Sequence, residues 1–256
     1  MQPAIHKKKI GHFVRLLEID NPPANSLSKI MKQKFLAVLE EIEQDNNIRA
    51  IVLTGSGNKF CTGDDLKEAM GRTTGASTLN NLKEFSKVID RFEALPIPTI
   101  AAINGWCVGG GFELALCCDI RVAVPTANFI TAGVNVGLTA SGYRLPRLIG
   151  AGRAKRMLLT GDTITAQQAL QFGLITDIYE ADNLLPAAIQ LAELIASKAP
   201  LAVKATKTIV NTSLDMEAKE GYVLQQAILE NLAVSEDYRA ALAAFNSGKK
   251  PSFKGC

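Results

Sequence analysis

The sequence predicts an α/β fold with a helical C-terminal region. Short runs rich in β-branched residues alternate with helical patterns over the first 150 residues, which is typical of a layered domain with parallel strand pairs. From about Gly150 onward the strands nearly vanish and helical patterns follow one another. We therefore expect a core over residues 1–195 and a helical region over residues 196–256, whose apolar faces need another surface to cover them.

The predicted strands are short and lie in the first half of the chain. They cover residues 13–19, 50–54, 99–103, 120–124 and 128–131.

The first predicted helix begins after Ser28. Apolar residues follow at Met31, Phe35, Val38 and Ile42, on one helical face, and the polar stretch 44–47 ends the pattern. Further helical patterns cover residues 78–95, 166–172, 184–197, 202–211, 217–235 and 235–246.

The composition is that of an ordinary globular protein. The chain has 256 residues, of which 47% are hydrophobic and 21% charged, with a formal net charge of +3. Its two basic runs, residues 7–9 and 249–250, are not interleaved with aromatic residues, so no nucleic-acid binding is expected. No segment reaches the roughly 18 uninterrupted apolar residues of a membrane span, and a secretory leader is not evident. A cytoplasmic protein without a membrane partner is the expectation.

The cysteines give no indication of a metal site or a disulfide framework. None of the five forms a C-x-x-C pair, so we expect reduced, small apolar fillers and no bound metal. They are Cys61, Cys107, Cys117, Cys118 and Cys256.

The glycine-rich stretch "INGWCVGGGFELALCCDI" contains the first candidate site. Gly109, Gly110 and Gly111 lie between a predicted strand and a helix expected from Ala115 onward. Backbone N–H groups at a helix start lack intrahelical partners, and glycine lets a ligand approach them closely. Such donors stabilise a developing negative charge, and Glu113, one turn further on, is a candidate general acid/base. The alternative is a tight helix–strand contact with an exposed glutamate.

A second strand-to-helix junction has the same character. In "GNKFCTGDDLKEAM", Gly63 precedes Asp64 and Asp65, and a helix begins near Leu66. Two such junctions would direct two N–H donors at one oxygen if the fold brings them together. Taken alone, this stretch is better explained by Asp64 or Asp65 capping the helix.

Five motifs in order give the chain a family resemblance. They are "NPPANSLS", "FCTGDDL", "PTIAAINGWCVGGGFELALCCDIRVA", "RLPRLIGAGRAKRMLLTGDTITAQQALQFGLI" and "EDYRAALAAFNSGKKPSF". Over essentially its whole length the sequence resembles the crotonase superfamily, the enoyl-CoA hydratase/isomerase fold. The resemblance implies a crotonase-type spiral of ββα units, a helical C-terminal trimerisation region and a homotrimer or homohexamer. It also implies an acyl-CoA thioester substrate and no cofactor beyond the coenzyme A of that substrate.

The resemblance assigns roles residue by residue. The thioester carbonyl would accept hydrogen bonds from the N–H groups of Asp64 and Gly110, and Glu113 matches the first catalytic glutamate of the hydratases. The expected substrate-binding residues come from both glycine junctions, the segment after residue 128 and the C-terminal tail. They are Cys61, Gly63, Asp64, Asp65, Leu66, Gly109, Gly110, Gly133, Phe245 and Lys249.

One position departs from the hydratase pattern. The second catalytic glutamate of the hydratases falls here on Gly133, within "FITAGVNVGL", and the loop that follows, residues 139–142, is altered and shortened. A shifted alignment cannot supply the acid, because no Asp or Glu occurs between Asp119 and Asp162. The backbone donors are unaffected, but the positioning of water by a second carboxylate is lost.

Several reactions therefore stay open. Hydration or dehydration of an enoyl-CoA is preferred because Glu113 is present, and double-bond isomerisation comes second because one base can move a proton between two carbons. Decarboxylation or thioester hydrolysis would need help from Asn135, Thr139, Ser141 or Tyr143. A catalytically silent acyl-CoA-binding protein is the alternative from a different class.

Overall fold

Two β-sheets and a set of surrounding helices form the protein in a computed structural model, which describes residues 2–71 and 73–256. One sheet has six strands in the order β1-β2-β3-β5-β7-β10, and the other has four in the order β4-β6-β8-β9. The strands are β1 Ala4–Ile10, β2 Val14–Asp20, β3 Ala50–Gly55, β4 Lys59–Cys61, β5 Thr99–Ile103, β6 Trp106–Val108, β7 Ile120–Ala123, β8 Asn128–Ile130, β9 Thr163–Thr165 and β10 Asp177–Ile178.

The helices come between strands in the first half of the chain and dominate the second. They are α1 Lys29–Gln44, α2 Leu66–Met70, α3 Gly75–Glu93, α4 Gly110–Leu116, α5 Arg144–Ile149, α6 Ala151–Thr160, α7 Ala166–Phe172, α8 Ala181–Ala196, α9 Pro200–Ser213, α10 Ala218–Ala233 and α11 Glu236–Ser247. A single 3₁₀ turn, Val134–Val136, is also described.

Successive strand pairs build the two sheets together. Each of the pairs β3–β4, β5–β6 and β7–β8 gives its first strand to the six-stranded sheet and its second to the four-stranded sheet. Within each sheet these strands are parallel. The chain therefore advances as a spiral of ββα units, and the carboxyl ends of β4, β6 and β8 lie at one edge of the smaller sheet.

The core fills the space between the large sheet and the helices that cover it. Helix α8 packs on β2, β3, β5 and β7, while α1 packs on α3. Phe35 of α1 meets Phe92 of α3 edge-on, with ring centroids 5.7 Å apart, and both side chains are fully buried. This contact fixes α3, which also carries residues at the candidate site.

Most predicted elements are confirmed, and the main errors are elements that were missed. All five predicted strands are present with ends shifted by at most one residue, and the helical second half is confirmed. Strands β1, β4, β6, β9 and β10 and helices α5 and α6 were not predicted. All of these strands except β1 have only two or three residues, which is too few to show a periodicity. The helix expected from Ala115 onward was wrong in its bounds, since α4 begins at Gly110 and ends at Leu116.

The C-terminal helices lie on the outside of this body. No residue of α9 or α10 is buried, and apolar side chains such as Val210, Leu214 and Val223 are more than half exposed. Within the described ranges no helix is by itself long and apolar enough to cross a membrane. Helices α8 and α9 reach that length and apolar composition only when they are taken together, and the chain bends by 108° between them.

Candidate active site

The two glycine junctions lie side by side because their strands are neighbours. Strand β4 pairs in parallel with β6, with Cys61 opposite Cys107, so both strands end at the same edge. Gly63 and Gly109 then turn the chain with φ angles of +82° and +52°, which favour glycine. A Cβ placed on Gly63 would lie 2.5 Å from the backbone nitrogen of Gly110. The two junctions therefore meet at Gly63 and Gly110.

The carboxyl end of β8 reaches the same place. The Gly109 N–H donates to the carbonyl of Ile130 over 2.9 Å, and a Cβ on Gly109 would lie 3.7 Å from Ala132 Cβ. Gly133 follows immediately, with helical angles (φ −53°, ψ −54°) that a side chain tolerates. A Cβ there would be tight, at 3.0 Å from Leu138 O and 3.2 Å from Ala140 N.

Glu113 lies in the first turn of α4 and is buried. Its side chain is 9% exposed, and its Oε2 accepts a hydrogen bond from Arg144 Nη1 over 3.2 Å. The alternative of an exposed glutamate is thus wrong. Buried carboxylates require a charged or hydrogen-bonding partner, and Arg144 supplies it here.

Arg144 connects Glu113 to a second carboxylate, Glu93, at the end of α3. Arg144 Nε donates to Glu93 Oε1 over 2.9 Å and Nη2 donates to Oε2 over 2.6 Å. The hydrogen bond from Arg144 holds the pKa of Glu93 below its usual value. Burial works to lower the pKa of Arg144, but the bond to Glu93 and the charges of Glu93 and Glu113 outweigh it and raise that pKa. The guanidinium is therefore permanently charged.

A separate polar cluster holds the Asp64 carboxylate. Lys32 Nζ of α1 donates to Asp64 Oδ1 over 3.0 Å, and Asn81 Nδ2 of α3 donates to Oδ2 over 2.8 Å. Lys32 also donates to Asn81 Oδ1 and is only 1% exposed. The cluster ties α1 and α3 to the residue whose N–H is the expected oxyanion donor.

Asp65 caps α2, which agrees with the alternative that Asp64 or Asp65 caps this helix. Its carboxylate accepts hydrogen bonds from the N–H groups of Lys67 and Glu68 and from the Ser26 hydroxyl. Burial alone would raise the pKa of Asp65, but these hydrogen bonds outweigh it and lower the pKa. Leu66, the first residue of α2, is 66% exposed beside this cap.

Cys61 contributes backbone rather than a thiol to this edge. Its side chain is fully buried, and burial raises the pKa of the thiol to about 12. The Phe85 ring of α3 covers the opposite side of the junction, since a Cβ on Gly110 would lie 2.5 Å from Phe85 Cζ. Gly110 therefore has little room for a side chain.

Phe245 and Lys249 are not brought to this site within the described chain. Phe245 is 86% exposed on α11, and the Lys249 N–H donates to the Ala244 carbonyl after the helix ends. Their expected approach to the coenzyme A of a neighbouring subunit stays a prediction. Across residues 2–71 and 73–256 no group of three His, Cys, Asp or Glu side chains is arranged to hold a metal ion.

Sequence reasoning missed Arg144 and Glu93. Both lie far from Glu113 in sequence, and neither stands in a pattern that indicates an ion pair. The only available indication was indirect: a glutamate at the start of an apolar helix needs a cation from elsewhere in the fold. Lys32 and Asn81 were missed for the same reason.

The arrangement as a whole defines a class of enzyme. Backbone N–H groups at such a junction can stabilise the oxyanion of a thioester enolate, and a nearby buried carboxylate can move a proton at its α-carbon. On a spiral of ββα units this combination is typical of crotonase-type acyl-CoA enzymes.

Comparison with known proteins identifies the family. The model of the enoyl-CoA hydratase/isomerase family matches residues 9–256, and the chain belongs to that family. It is 36% identical over 247 residues to the 2,3-dehydroadipyl-CoA hydratase of Escherichia coli (strain K12), covering 94% of this chain and 95% of that protein. It is 34% identical over 242 residues to the short-chain-enoyl-CoA hydratase of Clostridium acetobutylicum, covering 93% and 92%.

A solved structure agrees with the fold. The crystal structure of an enoyl-CoA hydratase from Bacillus anthracis superposes with a TM-score of 0.95 at 33% identity, covering 98% of this chain and 99% of that one. The crotonase fold predicted from the motifs is confirmed, and acyl-CoA thioesters are the substrate class of this family.

The Arg144–Glu93 pair gives a prediction for stability against pH. A carboxyl whose pKa is lowered by folding stabilises the native state above its ordinary pKa of 4.5, and that contribution is lost as the pH falls through the lowered value. Because Glu93 is partly exposed, we expect Glu93→Gln to cost only about 1 kcal/mol at neutral pH. Urea unfolding of both proteins, at pH 7 and near pH 3, should show this difference shrinking in acid. A difference that grows in acid would contradict it.

Proposed function

We propose that the protein catalyses the addition of water to an enoyl-CoA thioester and the reverse dehydration. The thioester carbonyl would lie at the junction of Gly63 and Gly110, with its oxygen accepting hydrogen bonds from the Asp64 and Gly110 N–H groups. The observation that carries the proposal is the contact between these two junctions, with the buried Glu113 in the first turn of α4. Family membership supports the same substrate class.

In the proposed reaction, Glu113 moves the proton. Its carboxylate takes a proton from water as the oxygen bonds to the β-carbon, and the electrons of the double bond move onto the thioester oxygen. The two backbone donors stabilise that enolate oxygen. Glu113 then returns its proton to the α-carbon, which restores the carbonyl. One carboxylate thus performs both transfers.

Double-bond isomerisation is the second candidate, favoured by the single carboxylate. Gly133 offers no acid, and an isomerase needs only one base to remove a proton from one carbon and return it to another. Decarboxylation and thioester hydrolysis have less support, because two of their proposed helpers already have structural partners. Asn135 donates to the Gly161 carbonyl and Tyr143 donates to Glu93.

Coenzyme A would enter only as part of the substrate, with no separate cofactor. We also propose a cytoplasmic location for the enzyme. Four cysteines are buried free thiols, as in proteins that fold in a reducing compartment.

We further propose a homotrimer, alone or paired into a hexamer, built through α9, α10 and α11. These helices expose apolar side chains to a degree that a solitary surface layer rarely does. More than half exposed are Val210, Leu214, Tyr222, Val223, Val234 and Phe245. A cavity of about 810 Å³ under α9, lined by Val210 and Leu214 among others, lies on the same side.

The first prediction concerns Glu113. Glu113→Gln keeps the shape of the side chain but removes the base, so hydration of crotonyl-CoA should fall by about 10²–10⁴-fold. The rate is followed by loss of the conjugated enoyl absorbance. Glu193→Gln, at an exposed position of α8, serves as the control and should keep the full rate.

The outcomes separate the functional classes. Full activity in Glu113→Gln would rule out its acid/base role. If the unaltered protein binds several acyl-CoA thioesters tightly and turns over none of them, the alternative of a catalytically silent acyl-CoA-binding protein is favoured.

The second prediction concerns Gly133. Gly133→Glu should raise hydration of a short enoyl-CoA at least about tenfold, equivalent to roughly 1.4 kcal/mol of barrier, if the pocket is otherwise that of a hydratase. Gly133→Gln is the matched control, because it meets the same tight backbone contacts at Leu138 and Ala140 without supplying an acid. Equal rates in the two variants would mean that the site is arranged for other chemistry.

The third prediction concerns assembly. Light scattering at micromolar concentration should give the mass of a trimer or hexamer. Val223→Asp places a charge on the exposed face of α10 and should shift the protein toward monomer. A stable monomer without any substitution would contradict the assembly.

A further inference from the structure

We propose that Arg144 is a positioning residue for Glu113 and fixes the direction of its carboxylate. The inference rests on the proposed function, in which Glu113 both accepts and returns a proton. Arg144 is the first residue of α5, and its side chain is 13% exposed. It contacts Glu113 directly but would not touch the reacting atoms.

The burial of Glu113 is the first observation. Its side chain is 9% exposed, and its neighbours on α4, Phe112 and Leu114, are fully or almost fully buried. A buried charge without a partner costs several kcal/mol. The guanidinium 3.2 Å away offsets that cost.

The geometry of the guanidinium is the second observation. Glu93 engages Nε and Nη2 together, which fixes both the position and the plane of the group. Nη1 is then left pointing at Glu113 Oε2. The Tyr143 ring lies 4.6 Å from the guanidinium carbon, and the Tyr143 hydroxyl donates to Glu93. The guanidinium of Arg144 is therefore held by both Glu93 and Tyr143. A lysine ammonium cannot make this two-sided contact.

A chemical consequence follows for a site with one carboxylate. When Glu113 gains a proton, its attraction to Arg144 is lost while the guanidinium stays charged and held by Glu93. Return of the proton to carbon restores that attraction. Arg144 exchanges no proton itself. Its role is to make one carboxylate able to accept a proton and release it again.

Variants on α5 test this directly. Arg144→Gln should lower kcat for crotonyl-CoA hydration by about 10²-fold, as a misdirected catalytic group does, with KM changed less than about threefold. Arg144→Lys should recover only part of that loss. Arg147→Gln is the matched control: Arg147 lies one turn along the same helix and pairs with the exposed Asp215, so the rate of this variant should stay within about twofold of the unaltered protein.

A double variant tests whether the two residues act on the same step. Once Glu113 is glutamine, removing Arg144 should cost little more, because the group it positions is already absent. Glu93→Gln should lower kcat by about tenfold, because it weakens the two hydrogen bonds that hold the Arg144 guanidinium. If Arg144→Gln does not fold, Glu93→Gln replaces it in this test. Thermal melting checks the fold of each protein.

The outcomes distinguish this inference from the proposed function. If Glu113→Gln abolishes turnover while Arg144→Gln, or its substitute Glu93→Gln, keeps the full rate, only the role of Arg144 is overturned. Multiplicative losses in the double variant would overturn it too. If the rate of crotonyl-CoA hydration is too low to measure, the exchange of the α-proton of butyryl-CoA in deuterated water is measured with the same variants. Full exchange in Glu113→Gln, or none in the unaltered protein, would overturn both the proposed function and this inference.

Discussion

The parallel pairing of β4 with β6 is the constraint on which the site depends. It places Cys61 opposite Cys107, and a single residue, Thr62 or Val108, then separates each cysteine from its glycine turn. The two turns can therefore touch without any side chain between them, as the contact of Gly63 with Gly110 requires. A sheet that paired these strands differently would separate the two backbone donors, and no substitution of side chains would restore them.

Charge is organised around this backbone site in two separate clusters. On one side, Lys32 and Asn81 hold the Asp64 carboxylate and tie α1 and α3 to the first junction. On the other side, Arg144 joins Glu113 to Glu93. Helix α3 contributes to both clusters and covers Gly110 with Phe85. It is therefore the element that connects the donor side of the site with its acid/base side.

The fold and the backbone part of the site were largely predictable from the sequence. Gly63 and Gly109 are local signals of a chain turn, and a glutamate in the first turn of a helix is a local pattern as well. Arg144, Glu93 and Lys32 were not predictable, because their contacts join residues 31 to 51 positions apart through packing of whole helices. Short strands such as β4 and β6 were missed for a related reason: their stability comes from their neighbours in the sheet, not from their own residues.

We expect the Asp64 and Gly110 N–H groups to polarise one thioester carbonyl. Infrared spectra of a bound saturated acyl-CoA carrying ¹³C at that carbonyl test it most directly, because hydrogen bonding lowers the stretching frequency. Phe85→Ala makes room at Gly110, and in that background Gly110→Ala keeps the N–H while Gly110→Pro removes it. The account predicts a lowered frequency in the unaltered protein and in the alanine variant, with most of the shift lost in the proline variant. An equal shift in the proline variant would contradict it.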